Sequence, residues 1–439
     1  MIRRFQALKT EAGLDFDVAF DPERRFHCLV GVNGVGKTHL IEHLARTFLY
    51  AHTMFDLQKG GQRYTDLFQI AVVNTALSEL DLRMAVEVSV DETTIKDWER
   101  ERWNTTKLGL VRQTRRDVWH VDRPIVFVGA RERGHTRNIE PQQLRLLGSV
   151  ADQFVAAFLK TWRAATGEPR PVEEPAEWFS ARLLINPAFA VGNDPQIEAV
   201  VEVLGLLQRL DPKEFASLMT QDGQNRRIDL GYHNGALHFA GRPIDKLATG
   251  YISLLKIFQE IVAGYAAWNA MSDAKPPTDL RALDGVVFID ELEAHLHPQW
   301  QARIVGILKR SFPNTTFFVT THSPLVLRQT EPGEAIEILR DDGRVTSRRL
   351  GSPRDWYLAD VYAEGFHVDI PLPGQDAPEG ARPLGGVMLD FSKAVRDYAA
   401  TRDTAAREGA LALHDEVDRR LAQDDSRRRS LTMLRELLG

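Results

Sequence analysis

An eight-residue phosphate-binding pattern near the N-terminus constrains this chain most, because it needs a strand before it and a helix after it. Residues 31–38 place glycines, a lysine and a hydroxyl residue at the spacing that surrounds a nucleotide phosphate tail. An apolar segment, 26–30, precedes the pattern, and residues 39–44 follow it with helical spacing. Backbone N–H groups and a helix N-terminus then converge on the phosphates. The pattern predicts an ATP site formed by Asn33, Gly34, Val35, Gly36, Lys37, Thr38 and His39.

Two side chains of this loop have defined chemical roles in that prediction. We expect Lys37 to neutralise the β- and γ-phosphates and Thr38 to ligate Mg²⁺. Gly31, Gly34 and Gly36 permit backbone angles and close approaches that a Cβ would obstruct. ATP and Mg²⁺ are therefore the predicted ligands.

Far downstream, residues 286–291 read as a buried parallel strand that ends abruptly in two carboxylates. In open α/β sheets, ligands bind at this end of the strands. Asp290 would hold Mg²⁺ through water, and Glu291 would orient or deprotonate the attacking water. A further apolar strand, 316–320, leads to His322 at the same sheet edge, where a contact with the γ-phosphate is the natural role.

Residues 246–251 lie between these parts and precede a run of apolar residues at helical spacing. Thr249 has the chemistry of a helix cap, which would by itself account for this segment.

At these residues the sequence resembles the ABC-class ATPases of the RecF, structural-maintenance-of-chromosomes and overcoming-lysogenisation-defect type. Residues 247–251 resemble the family's signature, 293–298 its dimer-contact loop and 321–324 its histidine switch. The resemblance implies an α/β fold, with an ABC-type head of mixed β-sheet and flanking helices. It also implies a head-to-tail dimer, in which Thr249 and Gly250 complete a neighbour's ATP site. Ala248 stands where the family usually has serine.

The same resemblance divides the chain into four parts. Residues 1–50 would form the first part of the ATPase domain and 51–240 an insertion, β-rich and then helical. Residues 241–350 would complete the ATPase domain, and 351–439 a linker and helical tail that binds a partner. Local patterns predict an antiparallel pair of strands, 16–20 with 26–30, a hairpin over 336–350, a helix over 144–166 and three helices in the tail.

The family's glutamine-bearing lid loop has two candidate locations, Gln69 and the end of strand 124–128 with Arg131 and Arg133 beyond it; ordinary surface positions are the simpler interpretation for these residues. His295 and His297 are spaced weakly for zinc, and we assign no second metal. Seven arginines could grip DNA or RNA, although interspersed acids favour a solvated face: Arg112, Arg115, Arg116, Arg123, Arg131, Arg133 and Arg137.

The tail lacks the Asp-x-Asp pair of nuclease-bearing relatives. Its architecture resembles the stand-alone ATPases of Septu and retron-linked anti-phage systems, in which a separate effector nuclease binds. The alternatives are a RecF-like repair ATPase that grips DNA and a scaffold that holds ATP with little turnover. The absence of a signal-peptide core, together with the single Cys28, favours a cytoplasmic location. The insertion, the tail and the absence of an apolar run long enough for a membrane span argue against a transport role.

Overall fold

The computed structural model describes most of the chain in separate ranges. These ranges are 2–8, 10, 12–50, 58–59, 62–63, 83–90, 93–95, 121, 123–130, 133–134, 136, 146–166, 174–183, 195–222, 225–233, 236–239, 241–271, 279–356, 358–367, 384–420 and 428–438. The chain divides into two compact units, Met1–His367 and Val368–Gly439.

A ten-stranded sheet forms the centre of the first unit. Its strands are β1 Ile2–Leu8, β2 Asp15–Ala19, β3 Phe26–Val30, β6 Arg83–Val90, β7 Thr93–Ile95, β8 Ile125–Val128, β14 Val286–Ile289, β15 Thr316–Thr320, β16 Ala335–Asp341 and β17 Arg344–Arg349. Across the sheet they follow the order β7-β6-β1-β2-β17-β16-β3-β15-β14-β8. Neighbours from β16 through β3, β15 and β14 to β8 are parallel, whereas β7, β6, β1 and β2 are antiparallel. The sheet is therefore mixed.

The parallel strands are apolar on both faces because helices cover both sides. Along β14, Val286 and Phe288 join one hydrophobic cluster, while Val287 and Ile289 join the other. This alternation explains why the strand reads as a continuous apolar run in the sequence.

One strand pairing predicted from the sequence is wrong. Segments 16–20 and 26–30 do form strands, β2 and β3, but they do not pair with each other. The predicted hairpin 336–350 is confirmed as β16 and β17, and it inserts between them. Because β15 and β16 occupy both edges of β3, the short connection from β2 cannot be a simple hairpin.

Nine helices are described in the first unit: α1 Lys37–Tyr50, α2 Val150–Ala165, α3 Pro175–Leu183, α4 Pro195–Leu210, α5 Thr249–Met271, α6 Pro298–Gln301, α7 Ile304–Ser311, α8 Pro324–Leu327 and α9 Leu358–Phe366. Helix α2 begins later than the predicted 144, because Ser149 caps it. The Ser149 hydroxyl accepts from the Asp152 N–H, and the Asp152 carboxylate accepts from the Ser149 N–H. This reciprocal capping fixes the helix start.

Three small sheets complete the described part of this unit. One pairs β4 Gln58–Lys59 with β5 Gln62–Arg63, and a second pairs β9 Met219–Asp222 with β10 Asn225–Ile228. The third contains β11 Leu230–His233, β12 Ala236–Phe239 and β13 Arg242–Pro243. Gln69 and five of the seven predicted nucleic-acid-binding arginines lie outside the described residues: Arg112, Arg115, Arg116, Arg131 and Arg137.

The second unit contains the three predicted tail helices, α10 Leu384–Thr401, α11 Thr404–Arg420 and α12 Arg428–Glu436. Val387, Phe391, Val417 and Leu431 belong to its apolar core. Across both units, the described helices include none that is both long enough and apolar enough to pass through a bilayer.

Candidate nucleotide site

The phosphate loop joins β3 to α1 through a backbone that only glycine adopts without strain at several positions. Gly31, Gly34 and Gly36 have φ values of 143°, 76° and 105°. A Cβ on Gly31 would lie 2.6 Å from the carbonyl oxygen of Ile338 on β16. The loop can therefore pass close to the sheet and form a tight cradle of the kind that binds phosphates.

Lys37 begins α1 and turns its ammonium group back over this cradle. Its Nζ donates to the carbonyl oxygens of Gly31, at 2.8 Å, and Val32, at 3.1 Å. The side chain is buried, and burial lowers the pKa of Lys37 to about 8 even though Asp290 and Glu293 act to raise it. A cation held partly desolvated favours an incoming polyanion, because the phosphates would replace the solvation it has lost.

Thr38 and Asp290 come from separate parts of the sequence and meet at the end of β14. The Thr38 hydroxyl lies 3.0 Å and 3.1 Å from the two carboxylate oxygens of Asp290. A hydroxyl and a carboxylate at this spacing are the hard oxygen donors that Mg²⁺ prefers alongside nucleotide phosphates and water. The residues present therefore fit the predicted ion.

Thr320, the last residue of β15, joins the two acidic residues. Its buried hydroxyl donates to Oδ1 of Asp290 at 2.6 Å and accepts from the backbone N–H of Glu291 at 2.7 Å. One hydroxyl thus fixes the carboxylate of one residue and the backbone of the next.

Glu291 follows the strand in a conformation that is uncommon for a residue with a side chain. Its φ is 46°, in the left-handed region, which costs about 1 kcal/mol. Arg133 supports this turn from beneath, because its Nη2 donates to the carbonyl oxygens of Asp290, at 2.7 Å, and Glu291. The guanidinium is almost completely buried, and burial lowers the pKa of Arg133 to about 10.

Glu293 positions the histidine of the next strand. Its carboxylate accepts from the Thr321 hydroxyl, at 2.5 Å, and from the His322 backbone N–H, at 2.6 Å. Burial, followed by the charge of Lys37, lowers the pKa of His322 below its usual value. The imidazole is therefore neutral near pH 7 and retains one ring N–H donor.

The structure thus brings Lys37, Thr38, Asp290, Glu291 and His322 to one edge of the sheet. Of the other residues predicted to bind ATP, Val35 is buried, Asn33 and Gly34 are exposed, and Gly36 is half-buried. His39 is exposed on α1 and pairs with Glu42 at 3.3 Å.

The signature segment, residues 247–251, packs against residues that follow the acidic turn. A Cβ on Gly250 would meet the His295 carbonyl oxygen at 2.8 Å and the Trp300 ring at 3.1 Å, and these are its nearest neighbours. Thr249 is exposed. Its predicted role as a cap is wrong: α5 includes Thr249, and the carbonyl of Ala248 accepts from the N–H groups of Tyr251 and Ile252.

Three residues of the site have functions that the sequence analysis did not assign. Thr320 and Glu293 were part of recognised segments, but their hydrogen bonds depend on strands that meet only in the fold. Arg133 was interpreted as a surface residue, which is wrong, because it is buried under the acidic turn. Its position five residues after β8, which neighbours β14, was the one available signal.

His295 and His297 also have structural positions. The ring of His295 lies against Gly134, where an added Cβ would be 2.7 Å from Nε2. The Nδ1 of His297 accepts from the Gln299 N–H at 3.3 Å and caps α6.

The sheet order and the site together define a phosphate-loop fold with a mixed sheet. A mixed sheet with flanking helices places the phosphate loop, the acidic strand and the histidine strand side by side. Residues 267–328 match the family model described as "AAA domain, putative AbiEii toxin, Type IV TA system". This segment contains Asp290, Glu291 and His322.

Short stretches of the chain are similar to named bacterial proteins. Septu protein PtuA of Bacillus mycoides (strain KBAB4) is 48% identical over 61 residues, which is 14% of this chain and 9% of that protein. Retron Vc95 probable ATPase of Vibrio cholerae serotype O1 biovar El Tor is 51% identical over 57 residues, 13% of this chain and 11% of its own length. The chain thus spans about a tenth of the length of these two relatives.

Among solved structures, an SMC head bound to the C-winged helix domain of ScpA aligns with 81% of this chain and 99% of its own. The TM-score is 0.37 and the identity 13%. At this level of similarity the fold assignment rests on the sheet order and the phosphate loop.

Proposed function

We propose that this chain binds and hydrolyses ATP in the cytoplasm, and that the ATP cycle controls a partner effector in bacterial defence against phage. The observation that carries the ATPase activity is the meeting of Lys37, Thr38, Asp290 and Glu291 at one sheet edge. The similarity to proteins named for Septu and retron systems supports the defence role. The effector we propose is a nuclease, and the second unit is its proposed binding part.

The side chains divide the work of phosphoryl transfer to water. The loop N–H groups and Lys37 hold the phosphate tail. Glu291 takes a proton from the attacking water while the oxygen of that water bonds to the γ-phosphorus. The bond from phosphorus to the ADP oxygen breaks in the same displacement. His322 donates its ring N–H to the γ-phosphate. Thr38 and Asp290 would hold Mg²⁺, and the ion would neutralise part of the phosphate charge.

The site requires a second copy of the chain in this proposal. Ala248 and Thr249 are exposed at the start of α5, and the nearest atoms to Gly250 belong to His295 and Trp300 rather than to the phosphate loop. The N-terminus of α5 presents backbone N–H groups that can bind an anion. A head-to-tail dimer would bring this helix end to a neighbour's γ-phosphate, where backbone groups and Thr249 would compensate for Ala248.

A complementation experiment tests the composite site. Lys37→Ala disables the loop, and Thr249→Glu places a negative charge where the γ-phosphate would bind, while an acid in the first turn still suits the helix. Each variant alone should lack turnover. In an equal mixture, half of the dimers are mixed and each has one intact site, so turnover should recover to about a quarter of the wild-type value. If both variants are folded and the mixture recovers no turnover, the signature segment acts in the ATP site of its own chain or in no ATP site.

The native mass of Glu291→Gln, measured by light scattering with and without ATP and Mg²⁺, tests the cycle. Slow hydrolysis should preserve the closed state, so we expect an ATP-dependent rise in mass. The matched variant Glu293→Gln alters a neighbouring carboxylate that positions His322. Nucleic acid that co-elutes more strongly when ATP is present would support the RecF-like alternative, whereas unchanged turnover in Glu291→Gln would contradict the proposed hydrolysis mechanism.

The defence role has its own experiment. Cells that carry the chain with its neighbouring genes should resist phage, and Lys37→Ala should abolish this protection. Copurification should also recover the product of a neighbouring gene. If cells are equally sensitive with and without the chain and no such product binds, the regulatory part of the proposal fails, while the ATPase part is judged by turnover alone.

A further inference from the structure

A second concave site lies in the first unit and is lined mainly by positive charge. This basic groove has a volume of about 580 Å³ and is formed by the ends of α4 and α7, the turn after α8 and a residue of the turn before α9. Its charged lining comprises six basic side chains and one carboxylate: Arg209, Arg303, Lys309, Arg310, Arg328, Arg354 and Glu331. The whole chain carries a net charge of −6, so the charge of this groove is opposite in sign to that of the chain.

Several of these basic side chains form no close ion pair with the residues that the structure describes. Arg209 pairs with Glu202, and Lys309 pairs with Glu331 and Glu334. By contrast, within the described chain no carboxylate oxygen lies within 4.0 Å of Arg303, Arg310, Arg328 or Arg354. Asp211 interacts with Arg303, and Glu331 with Arg354, at longer range.

Ordinary helix chemistry explains only some of the basic residues. Arg209, Lys309 and Arg310 occupy the last turns of α4 and α7, where positive charge is favoured by the helix dipole. Arg328 follows a helix of four residues, and Arg354 lies in a short 3₁₀ turn. These two arginines have no such structural reason to face the same groove.

Two helices also present their arginines in a matching way. On α4, the Nη1 of Arg209 lies 3.5 Å from the position of a Cβ on Gly205. On α7, the Nη1 of Arg310 lies 3.0 Å from the corresponding position on Gly306. In both cases the guanidinium folds back over a glycine one turn earlier, where no side chain blocks it.

We propose that the basic groove binds the phosphate backbone of a nucleic acid. Planar guanidinium groups match phosphate oxygens with paired hydrogen bonds. The residues that line the groove include no aromatic side chain. Small-molecule pockets and protein hot spots usually have such anchors, whereas backbone phosphate contacts need only charge and donors. This inference does not depend on ATP hydrolysis and concerns a surface separate from the nucleotide site.

The test compares two triple variants with the same change in charge. Arg310→Gln, Arg328→Gln and Arg354→Gln together remove three cations from the groove. Arg396→Gln, Arg402→Gln and Arg419→Gln remove three from the second unit. Each is titrated, without ATP, against labelled duplex DNA, single-stranded DNA and single-stranded RNA of equal length, at several salt concentrations.

We expect the groove variant to bind at least about 10-fold more weakly, and the slope of log affinity against log salt to fall by about 2–3, because three phosphate contacts are lost. The control should keep the wild-type slope, and ATP turnover should be unchanged in both. Arg328→Lys, which retains the charge, should keep most of the affinity. The nucleic acid that binds with the highest affinity of the three identifies the occupant of the groove.

Two results would overturn the proposal. One is an absence of wild-type binding to all three nucleic acids at low salt. The other is an equal loss of affinity in the control variant, which would show that overall charge, and not the groove, governs binding. An acidic peptide that binds this surface while nucleic acids do not would assign it to a protein partner instead.

Discussion

Thr320→Val removes the hydroxyl that joins the two acidic residues while it preserves the shape of the side chain. The hydroxyl donates to Asp290 at 2.6 Å and accepts from the Glu291 N–H at 2.7 Å, and Thr320 is only 1% exposed. The substitution therefore removes one bond to a carboxylate and leaves a backbone N–H without its partner. Together these losses should lower the free energy of unfolding by about 2–4 kcal/mol.

The same substitution should reduce turnover, because Glu291 would lose a contact that holds its φ of 46°. We expect a fall of at least about 10-fold in kcat with a smaller change in KM, since misplaced reacting groups affect the chemical step most. Urea denaturation and steady-state phosphate release measure the two effects. Valine keeps the branched shape, so packing alone cannot account for both.

Two matched variants make this prediction sharp. Thr320→Ser retains the hydroxyl and should remain close to the wild type in turnover. Thr316→Val alters a buried threonine at the other end of β15 and should leave kcat unchanged. If Thr320→Val unfolds within about 0.5 kcal/mol of the wild type and turns over normally, the hydroxyl is not the link that the geometry indicates.

Three further predictions follow from the charged and buried groups. Arg133→Lys should lower kcat at least about 10-fold and destabilise the fold by about 2–3 kcal/mol in urea, because the lysine side chain ends one bond short of the position from which Nη2 donates to the carbonyls of Asp290 and Glu291. Arg123→Lys, at an exposed ion pair, is the control, and a normal kcat in Arg133→Lys would contradict the role. ATP should bind more weakly as pH rises through about 8, by up to about tenfold per pH unit, because the phosphates raise the lowered pKa of Lys37 and binding then takes up a proton. A fluorescent ATP analogue measures this, and the profile of Lys37→Arg should be flat. Burial lowers the pKa of His27 to about 3, so that below about pH 6.5 the unfolded state binds a proton that the folded state does not. The free energy of unfolding should therefore decrease by about 1.4 kcal/mol for each pH unit by which the pH is lowered, down to about pH 3. His27→Leu should reduce that slope in urea titrations, and an unchanged slope would mean that His27 is solvated.

The sequence was sufficient to predict those site residues that lie at the carboxyl ends of parallel strands. Loop residues 31–38, Asp290 and His322 each follow an apolar strand directly, and parallel strands bring their carboxyl ends to one edge. The order of the strands was not needed for that inference. The pairing of 16–20 with 26–30 failed for the complementary reason: nearness in the sequence suggested a hairpin, and nothing local indicated that β16 and β17 insert between them.

The residues that were missed act through contacts across long sequence separations. Arg133 lies 157 residues before Asp290, whose carbonyl it binds, and Thr320 reaches Asp290 and Glu291 across a strand boundary. An arginine surrounded by polar residues looks like a solvated one until the fold places a carbonyl pair above it. Composition therefore misleads most where a charge is buried, because burial is decided by tertiary packing.

The same limit applies to the charge of the surface. The sequence directed attention to a run of arginines between 112 and 137, where neighbours in the chain share the same sign. The basic groove instead collects Arg310, Arg328 and Arg354 from three separate elements. A local excess of positive charge can therefore form in an acidic chain without any basic run in the sequence. Since affinity for phosphate follows the spatial density of cations, the net charge of −6 places no bound on what this groove binds.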